Sequence, residues 1–428
     1  MRIDVFGDTL CALVSATALA QSGHRVRLYL PDGRVAKALV EEQQLPYQEP
    51  GLAKLMSRQC DSGRLRHDIL DDAPLQPAPV VFLALQPGEF EQAEALVDRI
   101  AGLPGCRLLV NQSVFPVGSS EQLADRLAGA GADVPVVCLP DTLQEGVAFQ
   151  TFTRPNHILL GCSDARAETL IREILRPYNR RRDVIQVMHP REAEFAKLAI
   201  SGMLATRLSY MNDMALLAEA LGVDIDAVRQ GMGSDPRIGE AYLYPGCGFG
   251  GPGFSRDVMS LTATLRSKRV SAELLEEVMQ INERQKEVLF RKFWRHFAGD
   301  VAHLKVALWG VAFKPNTDRV DNGPALSLIE ALWAQDVEVH VHDPLAAPEL
   351  ARWAEGRGTL IIHDDPYQAA QGVDALMLVT EWKSYWSPDW DELKMAMRTP
   401  LVLDGRNIYD PAYVRANGFT YLGIGRGY

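Results

Sequence analysis

The chain has 428 residues, 47% of them apolar and 23% charged, the proportions of an ordinary folded protein of two or three domains. Lys and Arg number 44 against 55 Asp and Glu, a formal net charge of −11. No basic run exceeds Arg180-Arg181-Arg182, so a nucleic-acid partner is not expected. No stretch approaches the roughly 18 apolar residues of a membrane span, and residues 1–5 read as entering a strand at once, so no signal peptide is expected. A cytoplasmic protein is expected. The six cysteines, at 11, 60, 106, 138, 162 and 247, form no Cys-x-x-Cys pair, so neither a disulfide framework nor a metal site is expected.

In chain order, residues 2–6 read as a short apolar strand. Residues 9–22 have helical spacing and Gly23 closes that helix. Residues 24–30, 80–85, 108–110 and 134–138 read as further strands, and strand–helix alternation predicts a parallel doubly wound sheet. From about residue 191 to 221 only Gly202 interrupts a helical pattern. A helix of about 30 residues is far longer than the usual ~11–12, and it suits a link between domains or a dimer face. Residues 272–297 read as a second helical stretch. Alternation then resumes: strands at 305–309, 337–342, 375–379 and 401–403, and a helix at 324–335. The expected architecture is α/β: two Rossmann-like doubly wound domains joined by a central helical segment with one long helix. The expected domains are residues 1–190, 191–298 and 299–428.

Three stretches carry chemistry. Gly7-Asp8-Thr9-Leu10-Cys11-Ala12 stands where a strand-to-helix turn would hold a dinucleotide. Such a turn needs G-x-G-x-x-G/A, so that the pyrophosphate can approach the backbone and the helix can pack on the strand. Gly7 and Ala12 satisfy the outer positions, but Thr9 brings a branched side chain to the middle one. The second strand should end in an acid for the ribose. Leu30 stands there instead, with Asp32 two residues on. The plain alternative is a Rossmann-type fold whose cofactor site has decayed. Next, residues 244–257 hold five glycines in eight residues, 246 to 253, which predicts backbone N–H groups free to wrap a phosphate or a sugar. The third stretch is residues 310–318, where Lys314 on a strand-to-loop turn can meet a phosphate; alone it would be a solvated lysine.

Read together, these stretches resemble the nucleotide-sugar 6-dehydrogenases, the family of UDP-glucose and GDP-mannose dehydrogenases, over essentially the whole length. The resemblance rests on ordered markers: Glu49-Pro50-Gly51-Leu52, residues 113–118 (SVFPVG), 140–146 (PDTLQEG), 193–197 (AEFAK), 235–239 (DPRIG), the glycine-rich loop, 313–318 (FKPNTD), Thr380-Glu381-Trp382 and Asp404-Gly405-Arg406-Asn407. It implies oxidation of a sugar C6 alcohol to the acid by two hydride transfers to NAD. A cysteine thiolate traps the aldehyde, and water hydrolyses the resulting thioester. A lysine stabilises the oxyanion, and a carboxylate acts with water as base. Carried over, the catalytic positions are Lys197, Asp141, Asp257 and Gly253. NAD would meet Gly7, Thr9, Leu10, Leu30, Ser113, Val114 and Glu145. The nucleotide sugar, UDP-glucose or a relative, would meet Ser201, Arg237, Tyr244, Gly248, Phe249, Gly250, Lys314 and Arg406. A homodimer is implied, with Arg237 resembling an arginine that reaches the neighbouring subunit.

The departures fall on the chemistry. The family loop runs G-F-G-G-x-C-x-x-K-D; here its cysteine is Gly253 and its lysine Arg256, and only Asp257 stays. A glycine cannot form a thioester. Cys247, six residues earlier, is the one candidate substitute on that loop. The family base Glu is Asp141, the Thr of S-T-V-P-V is Val114, the Asn four residues after Lys197 is Ser201, and an Arg of the third domain is Asp321. Two readings remain open: an NAD-dependent dehydrogenase with an altered site that stops at the aldehyde or hydrates it for a second oxidation, or a non-catalytic nucleotide-sugar binder or regulatory paralogue. A purely structural role through dimerisation is a third.

Overall fold

The computed structural model describes residues 1–31, 39, 45, 47–70, 75–76, 78–180 and 182–426; Asp32 and Arg181 lie outside the described residues. The chain divides into two compact units, Met1–Ala199 and Ile200–Tyr428.

The first unit is built on an eight-stranded sheet: β1 (Arg2–Phe6), β2 (Arg25–Leu30), β3 (Leu65–Ile69), β4 (Val80–Leu83), β5 (Leu108–Asn111), β6 (Val136–Cys138), β7 (Ile158–Gly161) and β8 (Ile185–Met188), in the order β3-β2-β1-β4-β5-β6-β7-β8. All pairs are parallel except β6 with β7. Alternate residues supply two separate cores. Ile3, Val5, Leu28, Leu30, Val80 and Phe82 pack on one face, and Phe6, Tyr29, Val81 and Leu83 on the other. Burial on both faces is why these strands read as continuous apolar runs. Helix α1 (Leu10–Gln21) is buried from Cys11 to Ala20, as its all-round small apolar composition requires. Helix α2 (Ser119–Gly129) follows β5. The long helix α3 (Pro190–Leu221) has 32 residues.

The second unit carries β9 (Lys305–Trp309), β10 (Glu338–His342), β11 (Ile361–Ile362), β12 (Ala375–Leu378), β13 (Leu401–Asp404) and β14 (Thr420–Gly423), all parallel, in the order β11-β10-β9-β12-β13-β14. Relabelled from its first strand this is 3-2-1-4-5-6, as is the first six strands' order in the other unit, and it is the dinucleotide-binding arrangement. The two sheets thus share a topology without evident sequence repetition. Helices α4 (Pro252–Ser267) and α5 (Glu273–Lys286) precede this sheet. The stretch expected as one helix over 272–297 is two, Glu273–Lys286 and Val288–His296, divided at Glu287. Its two halves face different neighbours: Leu275 and Val278 are buried near α4, while Val288, Leu289 and Phe293 join the sheet core. Strands β3, β7, β8, β11 and β14 go beyond the sequence expectation. Leu65–Ile69 holds Arg66, His67 and Asp68, and the others are two to four residues long, too short to show a period.

At both switch points the first strand's end runs against the fourth's. A Cβ on Gly7, whose φ is +136°, would lie 2.1 Å from the Ala84 carbonyl oxygen. A Cβ on Gly310, at φ +82°, would lie 2.5 Å from Thr380 Cβ. Gly7 N–H bonds the Tyr29 carbonyl at 3.0 Å and Gly310 N–H the His342 carbonyl at 2.9 Å, one strand over in each sheet. Crevices for ligands open at such points.

One buried acid is at odds with its surroundings. Asp4 on β1 is 7% exposed and borders a space lined by Phe6, Val81, Ile100 and Cys106. Burial raises its pKa from 3.8 to about 6, against the opposing charges of Arg27 and Arg2. The folded state therefore holds this proton more tightly than the unfolded state. Stability from this group is present below pH 3.8 and is lost as pH rises through 6, a total of about 3 kcal/mol. Asp4→Asn is expected to raise the urea midpoint relative to wild type at pH 7.5, with the advantage shrinking to nothing near pH 4; an advantage independent of pH would contradict the assignment.

Candidate active site

In the first unit the β1–α1 turn forms the cradle. Thr9 is the N-cap of α1. Its hydroxyl accepts from Ala12 N–H at 3.1 Å and donates to the Ala84 carbonyl at 2.7 Å. The residue that breaks the glycine fingerprint is thus a favourable cap that ties the turn to the end of β4. Ala12 N–H is engaged by that cap, so the N–H groups of Leu10 and Cys11 are the ones a pyrophosphate oxygen would meet at this helix end. No acidic residue lies in the first turn. Gly7 lets the turn pass against Ala84, and the N–H groups of Leu10 and Cys11 at the helix start suit a dinucleotide pyrophosphate. Leu30 closes β2 with its side chain fully buried in the core, and so offers a ribose no polar side chain.

Two buried carboxylates hold the loops around this turn. Glu49 accepts from Gly146 N–H and Ala148 N–H, both at 2.7 Å. This fixes the loop that carries Asp141 and Glu145. Glu194, on α3, accepts from Gly118 N–H at 2.5 Å and Ser120 N–H at 2.8 Å, which fixes the start of α2 behind Val114. Ser113 accepts from Leu85 N–H at 2.9 Å and donates to the Leu83 carbonyl at 3.3 Å, joining β5 to the end of β4. Asp141 accepts from Leu143 N–H at 2.9 Å. Burial pushes the Cys11 thiol well up; the Asp141 charge adds to that rise and the Lys197 charge opposes it. The structure places Gly7, Thr9 and Leu10 at the start of α1, and the charges of Asp141 and Lys197 are felt at the Cys11 thiol.

In the second unit the glycine-rich loop meets its expectation only in part, because four of its N–H groups are engaged. Gly246 N–H bonds Asn212 Oδ1 at 2.9 Å, Cys247 N–H the Gly405 carbonyl at 2.9 Å, Phe249 N–H Asn282 Oδ1 at 2.8 Å, and Gly251 N–H the Asp321 carbonyl at 2.8 Å. Gln285 Nε2 and Asn282 Nδ2 donate back to the carbonyls of Gly246 and Phe249 at 2.7 and 3.0 Å. The glycines serve close packing instead. A Cβ on Gly250 would lie 2.5 Å from the Asn322 carbonyl oxygen, and one on Gly251 2.7 Å from the Phe313 ring. The loop is a rigid shelf rather than a flexible wrap.

Gly253 is the exception. It lies in the first turn of α4, directly after Pro252, and a Cβ there would meet no atom within 4 Å. Asp257, one turn further, is buried and accepts from Ser201 Oγ at 2.9 Å. Cys247 does not stand in for a thiol at 253. It is buried, its Sγ points at the Val379 carbonyl at 3.8 Å, and burial raises its pKa. Arg406 donates to the Val379 carbonyl at 2.7 Å and to the Gly248 carbonyl at 3.3 Å, so it braces the shelf. Lys314 Nζ lies 5.6 Å from the Phe313 ring. Tyr244 is exposed beneath the Arg229 guanidinium, 4.3 Å from its ring. Arg237 is exposed and paired with Asp235 at 2.6 Å. Asp321 pairs with Arg319 at 2.9 Å.

Sequence reasoning assigned no role to Asp343, Asn282, Gln285, Lys286 or Asn322. Asp343 Oδ2 accepts from Val311 N–H, Ala312 N–H and Trp382 Nε1 at 2.7, 3.0 and 3.1 Å, and its Oδ1 from Leu345 and Ala346 N–H at 2.9 and 2.8 Å. The one legible signal was polar residues at 282, 285 and 286 sharing a face of an amphipathic helix.

Two doubly wound sheets of this order, a glycine cradle at the first and a rigid shelf before the second, define a dinucleotide-dependent oxidoreductase fold. Comparison with known proteins narrows this. Residues 1–179, 191–284 and 307–411 match, in order, the NAD binding, central and UDP binding domains of the UDP-glucose/GDP-mannose dehydrogenase family, and the chain belongs to that family. It is 40% identical to a UDP-glucose 6-dehydrogenase of Pseudomonas aeruginosa, covering 100% of this chain and 98% of that one. With a UDP-glucose 6-dehydrogenase of Rhizobium meliloti the identity is 34%, covering all of both. The solved UDP-glucose dehydrogenase of Pyrobaculum islandicum superposes with a TM-score of 0.87 at 28% identity, covering 99% and 97% of the two chains. No helix among the described residues is long and apolar enough to cross a membrane.

Burial raises the pKa of Cys11, Cys138 and Cys247 alike. A thiol reagent at pH 8 is therefore expected to leave these three unmodified in native protein and to label them after denaturation. Peptide mass mapping reads the outcome, and rapid native labelling of Cys247 would reverse the conclusion that it is inert.

Proposed function

We propose that the chain binds NAD and a UDP-sugar of the UDP-glucose type and oxidises the C6 alcohol to the aldehyde, without carrying it to the acid. The observation that carries this reading is Gly253, a bare position with open space at a helix start, in a shelf that is otherwise tightly built. NAD accepts a hydride when bound. Gly7 and the N–H groups of Leu10 and Cys11 hold its pyrophosphate, with Thr9 fixing the turn and Ser113, Val114 and Glu145 on the adjoining loops. Lys197 stabilises the developing alkoxide, and Asp141 acts with water to take the hydroxyl proton. The balance is alcohol plus NAD to aldehyde, NADH and one proton. Asp257 and Ser201 form the buried pair at the sugar, and Lys314, Tyr244, Phe249 and Arg406 lie on the nucleotide-sugar side. A second oxidation through a thioester has no sulfur to use at position 253.

The proposed division of labour is residues 1–190 for NAD, 191–298 for pairing and 299–428 for the nucleotide sugar. A homodimer is part of the proposal. Met203, Tyr210, Leu217 and Leu221 on α3 are 62%, 51%, 49% and 66% exposed, and spacings of seven and four keep them on one face of a helix. In such a dimer Arg237 is available to the partner's sugar. Six free cysteines suit a reducing, cytoplasmic setting. A second reading, a nucleotide-sugar-binding or regulatory paralogue without turnover, draws support from Leu30, which is buried where a ribose acid should stand.

Stoichiometry of NADH formation tests the reading. Wild-type protein with excess NAD is expected to yield one NADH per UDP-glucose consumed, read at 340 nm. Gly253→Cys, which the open space accommodates at a helix start that favours thiolate, is expected to approach two. Two per sugar in wild type would overturn the reading. No NADH from either protein would favour the non-catalytic paralogue.

A further inference from the structure

The position of residue 253 depends on what holds the first turn of α4, and the polar contact made there involves Asn322. This residue sits at φ 50°, a left-handed conformation that asparagine tolerates. Its Nδ2 donates to Ser255 Oγ at 2.9 Å, two residues beyond Gly253. Its Oδ1 accepts from Lys286 Nζ at 2.8 Å. The Lys286 side chain is 2% exposed and its ammonium also bonds Glu283, at 2.8 and 3.0 Å. A buried ammonium must keep its acceptors, so Lys286 dictates which end of the Asn322 amide faces it. The donating end is thereby aimed at Ser255, and the amide cannot flip without facing two donors together. The backbone repeats the anchorage: the Asn322 carbonyl oxygen would lie 2.5 Å from a Cβ on Gly250, and Asp321 accepts from Gly251 N–H at 2.8 Å.

We infer that Asn322 is a positioning residue for the sugar: oriented by buried Lys286, it holds Ser255, and with it the turn at Gly253 against which C6 of the bound sugar lies. This rests on the function proposed above. It assigns Asn322 no contact with the uridine diphosphate, so the consequence is selective. Removing the amide should loosen the sugar while leaving the nucleotide in place.

Calorimetric titration with UDP-glucose and with UDP separates these effects. Asn322→Gly deletes the side chain and keeps the left-handed backbone; Ser255→Ala deletes the other half of the contact. Each is expected to weaken UDP-glucose about tenfold, the scale of one hydrogen bond, with UDP affinity unchanged within about twofold. The double variant is expected to be no weaker than either single one, because both remove the same contact. Asn322→Asp retains an acceptor for Lys286 and lets the Ser255 hydroxyl donate instead, and it should bind UDP-glucose nearly as wild type. Equal weakening of UDP and UDP-glucose would reduce Asn322 to a structural residue and overturn the inference, as would unchanged binding of both. Wild-type protein that binds UDP-glucose no better than UDP would overturn the inference alone, and wild-type protein that binds neither would overturn the proposed function and the inference with it.

Discussion

Both sheets are organised by the same near-collision of backbone at the switch point. The chain leaving the first strand passes so close to the fourth that no side chain fits: a Cβ would approach Ala84 O to 2.1 Å at Gly7 and Thr380 Cβ to 2.5 Å at Gly310. A threonine hydroxyl closes each contact. Thr9 donates to the Ala84 carbonyl at 2.7 Å, and Thr380 to the Ala312 carbonyl at 2.5 Å. The bond runs outward from the first strand's loop in one unit and back toward it in the other. The same geometry was reached with donor and acceptor exchanged, which marks the approach of the two strand ends as the constraint and the hydroxyl as a means of meeting it.

Everything else at the sites is arranged to keep loops still around these two points. Buried carboxylates do this repeatedly. Glu49, Glu194 and Asp343 each accept from at least two backbone N–H groups, and Asp404 accepts from Arg406 N–H, Tyr409 N–H and Tyr421 Oη, each at 3.0 Å. A carboxylate buried without such donors would be costly. Multiply bonded, it fixes several residues of loop at once. The amides of Asn212, Asn282 and Gln285 do the same for the glycine-rich shelf. A site built this way retains its shape when one reacting side chain is lost, because no anchor passes through that side chain. Under the proposed function Gly253, with open space around it, is such a loss.

The architecture was legible in the sequence because a sheet buried on both faces leaves apolar runs, and because the long helix is interrupted only by Gly202. The strand Leu65–Ile69 was not legible, because Arg66, His67 and Asp68 break its apolar run. Among candidate site residues, motif matching pointed to Lys197, Asp141, Asp257 and the glycine-rich loop. It could not reveal that four of the shelf's N–H groups are already bonded, because the partners Asn212, Asn282, Asp321 and Gly405 are distant in sequence. Thr9 was visible as a missing glycine but not as a helix cap, a role that depends on where the end of β4 falls. Glu49 and Glu194 stood inside recognised markers, yet their task, clamping loops some 75 to 100 residues away in sequence, exists only in the fold.

The central claim is that binding and the first hydride transfer survive while the acyl-holding group is absent. Mass spectrometry of the product formed in the presence of hydroxylamine tests it most directly, because an aldehyde is captured as its oxime and a carboxylate is not. The account predicts the oxime of a UDP-sugar 6-aldehyde as the dominant product from UDP-glucose and NAD. A UDP-uronic acid with no oxime would contradict it.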